Sequence, residues 1–373
     1  MDFSLRITLF SKSLLVSIYQ AFAFQLILLF VSENKMHIEI ITTPNEALKE
    51  SGFGSLKACN SVLHAIQRLG HDVKLNVCEN RACLDEVVKR KPELVILAVK
   101  YIALENEDDI WLSDYLSQHK VNFTGSSREV LKFDSNKVKA KIHLSNKGIK
   151  TARYFIATPG QYNKERELPF TFPLFLKPLD AANGNGIDDL SYVTRFENFE
   201  SKVTSLYESF NQPVLVEEYL DGREFTVAVI KKNNNELILS AVEIIPPTST
   251  NGLKILGAQA KKDDSETMVT INDHEIKNRV TTLAAAAFNS LGVRDFGRID
   301  IKTNKSGECF FMEANLVPGM THGSSYFPQA CKIANGFDYD KVVELLLACG
   351  MARASSTMPP NLHPDSDDTI VAL

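Results

Sequence analysis

The sequence predicts a mixed protein, part parallel α/β and part antiparallel α+β, built from two or three lobes. Three observations predict it. At 373 residues the chain exceeds what one hydrophobic core usually supports. From Met36 to Phe133 strand-like and helix-like stretches alternate, as in a parallel sheet with helices on its faces. Towards the C-terminus, Gly297 to Met320 reads instead as an antiparallel hairpin: strands Arg298 to Lys302 and Glu308 to Asn315 are joined by the polar, glycine-containing turn Thr303 to Gly307.

Apolar content of 44%, charged content of 23% and a net charge of -5 describe an ordinary globular protein and exclude the basic excess that nucleic-acid binding needs. The six cysteines (Cys59, Cys78, Cys83, Cys309, Cys331, Cys349) are scattered, with no C-x-x-C pair or accompanying histidine spacing. Reduced, buried thiols in an intracellular protein are therefore expected, rather than a zinc site or a disulfide framework. No internal repeat is evident.

Taken in order, the N-terminus departs first. Ser13 to Ser32 carries no charge and is rich in Leu, Ile, Phe and Val, long enough to span a membrane or to form a signal-peptide core. Export would want a small-residue cleavage site, yet Phe30-Val-Ser-Glu33 follows; an anchor is allowed by length. The preferred expectation is a translation start at Met36, because Met36-His-Ile-Glu-Ile-Ile-Thr-Thr43 reads as the first strand of a nucleotide-type α/β domain. Residues 1–35 are then an extension and 36–133 the N-terminal domain, with a membrane as partner only if 13–32 is retained.

Within that domain His37 to Thr42, Val73 to Val77 and Leu94 to Val99 are strands, the last nearly all apolar, as a strand covered on both faces should be. Ser55 to Leu69 is an amphipathic helix carrying Leu56, Val62, Leu63 and Ile66; Ile110 to His119 is another, and Val121 to Gly125 closes the unit. Gly52-Phe-Gly54 lies in the first strand-to-helix loop, where a phosphate can bind. The third glycine of the dinucleotide spacing is missing, and no acidic residue follows the second strand, so a tight turn is expected.

Ser135 to Gly148 reads as a helix stopped by Gly148 and carrying Lys137, Lys139 and Lys141. Phe172 to Lys177 is a strand ending on a lysine, Pro178 to Ile187 a glycine-rich segment, and Ser191 to Thr194 a further strand. Backbone N–H groups of such a flap can lie over phosphates, with Lys177 reaching the same charge; a long hairpin loop is the alternative. It is no P-loop, since the Gly-Lys-Ser/Thr ending is missing. Val214 to Leu220 is a buried strand that turns polar, and Phe225 to Ile230 follows beyond Gly222, with Glu217, Glu218 and Glu224 where the two meet. Such carboxylates are surface charges or hold a ribose diol. Glu236 to Ile245 is a strand, Glu275 to Leu291 a helix and Tyr339 to Leu347 a terminal amphipathic helix. From Met351 the Ser, Pro and Asp composition reads as a disordered tail.

In the hairpin, side chains alternate between faces. Arg298 and Asp300 share one face of the first strand, Glu313 and Asn315 one face of the second, and Asp300 falls almost opposite Glu313. Ile299, Ile301, Met312 and Ala314 are expected to point into a core. Two carboxylates and an amide oxygen suit a hard cation, and a neighbouring arginine suits a phosphate, which together describe a magnesium-nucleotide site. A solvated hairpin face would show the same period. Thr321-His-Gly-Ser-Ser-Tyr-Phe-Pro328, just beyond, is dense in donors that suit a carboxylate or a plain turn.

Val216-Glu-Glu-Tyr-Leu-Asp-Gly-Arg-Glu-Phe-Thr-Val-Ala228, Gly297-Arg-Ile-Asp300 and Met312-Glu-Ala-Asn-Leu-Val-Pro-Gly-Met-Thr321 together resemble the ATP-grasp superfamily, and within it the D-alanine:D-alanine ligase branch, over about Met36 to Gly350. The resemblance implies a three-lobed fold, with ATP clasped between two antiparallel sheets: a central lobe over 134–220 and a C-terminal lobe over 221–350. It further implies a cytoplasmic ligase dependent on ATP and on magnesium or manganese, acting on small amino-acid or carboxylate and amine substrates, with a homodimer allowed. By that resemblance Lys137 and Lys177 contact phosphates beneath the flap Ala181 to Gly186, which includes Gly184 and Gly186. The backbone of Glu218 and Leu220 reads adenine with Glu217 close by, Glu224 holds the ribose, and Lys261 is a lid lysine. Asp300, Glu313 and Asn315 are metal ligands, Arg298 stabilises the transferring phosphoryl and the tetrahedral intermediate, and Gly319 and Ser324 face the carboxylate of the second substrate.

Departures cluster in the amino-acid-binding loops. Phe53-Gly-Ser55 stands where the family places a glutamate, Val99 to Glu107 replaces a histidine-glycine-rich loop, and Leu253 to Lys261 replaces a tyrosine-containing lid. The flap lacks Glu-Gly-Ser-Ser, and His322-Gly-Ser-Ser325 carries one extra residue. The expectation is a retained ATP half-reaction with substrates that differ from D-alanine; a non-catalytic ATP-binding regulatory or assembly module is the alternative.

Overall fold

Three larger sheets and one two-stranded pair are found among the described residues of this computed structural model, which are 23–50, 52–105, 107–180, 184–232, 236–248, 252, 255–257, 263 and 265–352. The first is parallel, in the order β2-β1-β3, from β1 (His37–Thr42), β2 (Asp72–Val77) and β3 (Leu94–Leu97). All four β3 side chains are buried, as the apolar run required. Ahead of β1, residues 23–33 form helix α1, which buries Phe24 and Val31 against the cluster holding Met36 and Ile38. No helix among the described residues is long and apolar enough to cross a membrane.

Helix α2 (Glu46–Glu50) leads to α3 (Leu56–Arg68), whose N-cap is Ser55. Helix α4 (Arg81–Lys89), capped by Asn80, was not anticipated. Beside that cap the structure joins Cys78 to Cys83 in a disulfide, which corrects the expectation that every cysteine is a free thiol. Five residues of separation place both sulfurs at one helix entry, a proximity invisible to a search for C-x-x-C.

Two expected helices begin later than the sequence suggests. Ile110 and Trp111 form β5 (Ile110–Trp111), which pairs with β4 (Tyr101–Ile102), so α5 (Leu112–Gln118) starts two residues late, as β-branched and aromatic side chains favour. The helix expected over Ser135 to Gly148 is α7 (Lys137–Asn146), which starts two residues late and is preceded by an unanticipated helix α6 (Arg128–Ser135). Asn136 separates them in extended geometry, and its side chain caps the Lys139 N–H. The break puts Lys137 at the first turn of α7, where exposed N–H groups and the helix dipole already favour an anion.

The second sheet is antiparallel, in the order β6-β9-β7-β8, from β6 (Tyr154–Ala157), β7 (Leu174–Pro178), β8 (Tyr192–Val193) and β9 (Val214–Glu218). With α8 (Phe196–Phe210) it encloses its own core of Leu174, Leu176, Phe199, Val203 and Val216. The third sheet runs β12-β11-β10-β13-β14, from β10 (Glu224–Lys231), β11 (Leu237–Ile245), β12 (Thr267–Thr270), β13 (Phe296–Thr303) and β14 (Cys309–Asn315). Helices α9 (His274–Ser290) and α10 (Tyr326–Asn335) pack on it, and α11 (Tyr339–Ala352) continues one residue past Met351, where the tail was expected to start. The rest of that tail lies outside the described residues.

One continuous apolar core joins the first and third lobes. Ile38, Ile40 and Leu94 belong to the same buried cluster as Val227, Phe288, Ile299 and Leu347. Asp134 on α6 ties these lobes again. It accepts the Lys100 ammonium at 2.8 Å from the N-terminal lobe and the Leu316 N–H at 2.6 Å from the segment after β14.

Candidate active site

The predicted nucleotide residues converge on one cavity between the second and third sheets. Lys137, Lys177, Gly184, Glu217, Glu218, Leu220 and Glu224 line it, with Asp300 and Glu313 at one side. Gly186 stands next to it; its φ of +78° and a Cβ position 2.5 Å from the Pro178 ring leave room for glycine alone. Lys261 and flap residues Ala181 to Asn183 lie outside the described residues.

A buried ionic trio joins the cavity wall. Glu217 takes Lys141 and Lys177 at 2.7 Å each, with side-chain exposures of 1%, 0% and 7%. Burial alone would raise the Glu217 pKa, but the two ammonium groups overcome it and hold the carboxyl at about 2. Burial pulls the Lys141 pKa down, partly offset by Glu217; for Lys177 the same desolvation loses to Glu217 and Glu313, which raise it. Glu217 is thus a neutralised strut that aims Lys177, and the trio carries one net positive charge to the cavity.

On the same cavity Glu224 meets Lys302 at 3.3 Å, and the Lys302 ammonium lies 5.8 Å from the Tyr219 ring centre. Glu218 is spoken for: Arg153 holds its carboxylate at 2.8 Å, and its N–H donates to the Arg153 carbonyl at 3.0 Å.

The hairpin register is as the period required, with Arg298 opposite Asn315 and Asp300 opposite Glu313. A bulge then intervenes between Asp300 and Ile301, so that Ile301 pairs with Phe311. This corrects one expectation: Phe311 is fully buried, whereas Met312 turns out of the core to line the cavity between the second and third sheets. Met312→Ala is therefore expected to change unfolding free energy by less than about 1 kcal/mol. Loss of its contact area should weaken ATP binding roughly 3–10-fold, measurable by calorimetric titration.

Arg298 lies beside Asp300 in a two-pronged contact of 3.0 and 2.9 Å, with its guanidinium 5.2 Å from the Tyr326 ring centre. Asp300 also accepts Thr226 Oγ1 at 2.7 Å and Asn315 Nδ2 at 3.1 Å, a donation that orients the Asn315 amide. Lys137 approaches Glu313 at 3.9 Å. Among the described residues no three His, Cys, Asp or Glu side chains form a metal cage; the oxygen set here is two carboxylates and one amide.

Arg298, Asn315, Gly319 and Ser324 line a second cavity of about 570 Å³, which shares Lys137, Glu313 and Tyr326 with the first. Ser325 is committed to the loop, its Oγ accepting the Thr321 N–H at 2.8 Å, whereas no hydrogen bond engages Ser324 Oγ among the described residues. Sequence reasoning missed Lys100, Asp134, Glu266 and Tyr326 on this wall. Tyr326 donates its hydroxyl to Glu266, and burial, reinforced by that carboxylate, pushes the phenol pKa up. Lys100 had a signal: it follows the C-terminal end of a parallel strand, where open α/β sheets bind ligands.

A family model described as "D-ala D-ala ligase C-terminus" matches residues 144–348. The chain belongs to the D-alanine–D-alanine ligase family. Its relatives include the D-alanine–D-alanine ligase of Aquifex aeolicus, 28% identical over 298 residues that cover 79% of this chain and 94% of that protein. The Alcanivorax borkumensis ligase is 31% identical over 256 residues, covering 68% and 77%. The Bacillus anthracis D-alanine–D-alanine ligase complexed with ATP superimposes with a TM-score of 0.66 at 19% identity, covering 86% of this chain and all of that one. A D-Ala:D-Ser ligase from Enterococcus faecalis gives 0.63 at 20%, covering 85% and 100%. The ATP-grasp expectation is borne out, and the chain is an ATP-dependent ligase that forms C–N bonds.

Proposed function

We propose that this ligase activates a carboxylate in the second cavity and joins it to an amine there, with the side-chain roles read from the sequence. The observation that carries the proposal is the placement of Arg298, Asp300 and Glu313 where the nucleotide cavity meets the larger one. A carboxylate is a poor electrophile. Its oxygen takes the terminal phosphoryl group of ATP, ADP leaves, and the resulting acyl phosphate is attacked by the amine with loss of phosphate. Lys137 and Lys177 bind the phosphate chain, while Glu218 and Leu220 hold the adenine edge and Glu224 the ribose. Arg298 stabilises charge on the transferring group and then on the tetrahedral oxyanion. Gly319 and Ser324 hold the carboxylate of the amine substrate.

Asp300, Glu313 and the Asn315 amide oxygen form an all-oxygen donor set on one wall, which fits a hard divalent cation such as magnesium or manganese. When bound, such an ion supplies charge neutralisation at the phosphates. These three side chains would hold it.

The substrates differ from D-alanine in this reading. Phe53, 3% exposed, is packed into the core where the family's first-loop glutamate was expected, and its N–H donates to Ala98. Incubation with ATP, magnesium and a panel of amino acids and other carboxylates, scored by phosphate release and product mass, tests it. D-alanine alone is expected to give a kcat/KM at least roughly tenfold below the best combination. Efficient D-alanyl-D-alanine synthesis would refute the substrate reading, and silence across the whole panel would refute the ligase roles.

A further inference from the structure

We infer that Lys302 is a specificity-determining residue that, with Glu224, forms a charge-paired clamp on the ribose of the nucleotide. The inference rests on the nucleotide reading of the cavity and adds a residue to it. Lys302 follows Arg298 and Asp300 at period two, so β13 presents all three on one face. Register places Glu224 directly opposite Lys302, and both line the cavity alongside Tyr219.

A bland cross-strand ion pair is the competing account, with its small effect on stability. Burial argues against it: the two side chains are 15% and 21% exposed, drawn into the cavity mouth rather than spread on an outer face. An ammonium carries three donors. Glu224 takes one at a long 3.3 Å, and among the described residues no other hydrogen-bond acceptor meets Lys302. A ribose hydroxyl both donates and accepts. Set between the two, it donates to Glu224 while its oxygen receives a Lys302 N–H, so neither charge is left half-solvated. A carboxylate alone would satisfy only the proton.

The test is titration of the full chain with ADP and with 2′-deoxy-ADP, for wild type, Lys302→Met and Lys302→Arg, alongside each protein's melting temperature. Wild type is expected to favour ADP about tenfold, roughly the 1.4 kcal/mol of one well-made polar contact. Lys302→Met should reduce the preference to twofold or less, and Lys302→Arg should restore part of it. An unchanged preference in Lys302→Met, a wild type that binds both nucleotides equally, or a variant that loses melting temperature while keeping the preference would each overturn the clamp. Absence of ADP binding by wild type would instead remove the nucleotide reading on which the clamp depends.

Discussion

Arg298→Ala is expected to lower kcat by about 10²–10³-fold, the usual loss when one preorganised donor to a developing oxyanion is removed. The guanidinium is 11% exposed and already held by Asp300, so little reorganisation is needed when charge builds on the transferring phosphoryl. On the proposed role the contact strengthens in the transition state, so kcat should fall far more than the KM for ATP rises. Arg298→Lys keeps the charge and loses the planar fork, and should recover only part of the activity. Steady-state phosphate release, with circular dichroism as a check on folding, measures this. Turnover of the alanine variant within fivefold of wild type would sink the assignment.

Glu217→Gln is expected to destabilise the protein by about 3–5 kcal/mol, because removing one member of a buried charge set strands the others. Lys141 and Lys177 would then face each other with no carboxylate between them. The pH dependence has a definite sign. Glu217 has its pKa depressed from 4.5 to about 2, so its contribution is complete above the ordinary value and lost as pH falls towards 2. The stability gap between wild type and variant should therefore be full at neutral pH and close on acidification. Urea unfolding at a series of pH values measures it; a gap that widens in acid would show that the trio is wired otherwise.

How much was legible depended on whether a feature is local. The pairing of Asp300 with Glu313 followed from strand period and turn position, both local. Met312 did not, because a bulge slips the alternation by one residue and nothing in Phe310-Phe311-Met312 announces which side chain is extra. Asn136 was a readable cap at the start of the lysine-bearing helix, and Lys302 lay in plain sight on the Arg298 face. Asp134 was illegible for a different reason: its partners, Lys100 and the Leu316 N–H, come together only when two lobes close on α6. The Glu217 trio likewise draws on α7, β7 and β9 at once.

The shared core bears on how the molecule comes apart. Residues of the first and last lobes, distant in sequence, bury their side chains in one cluster, while the central lobe keeps a cluster of its own. The cooperative units of unfolding are therefore expected not to follow the order of the chain: the shared cluster should melt as one unit, and hydrogen exchange should report the central lobe opening as a separate subglobal event.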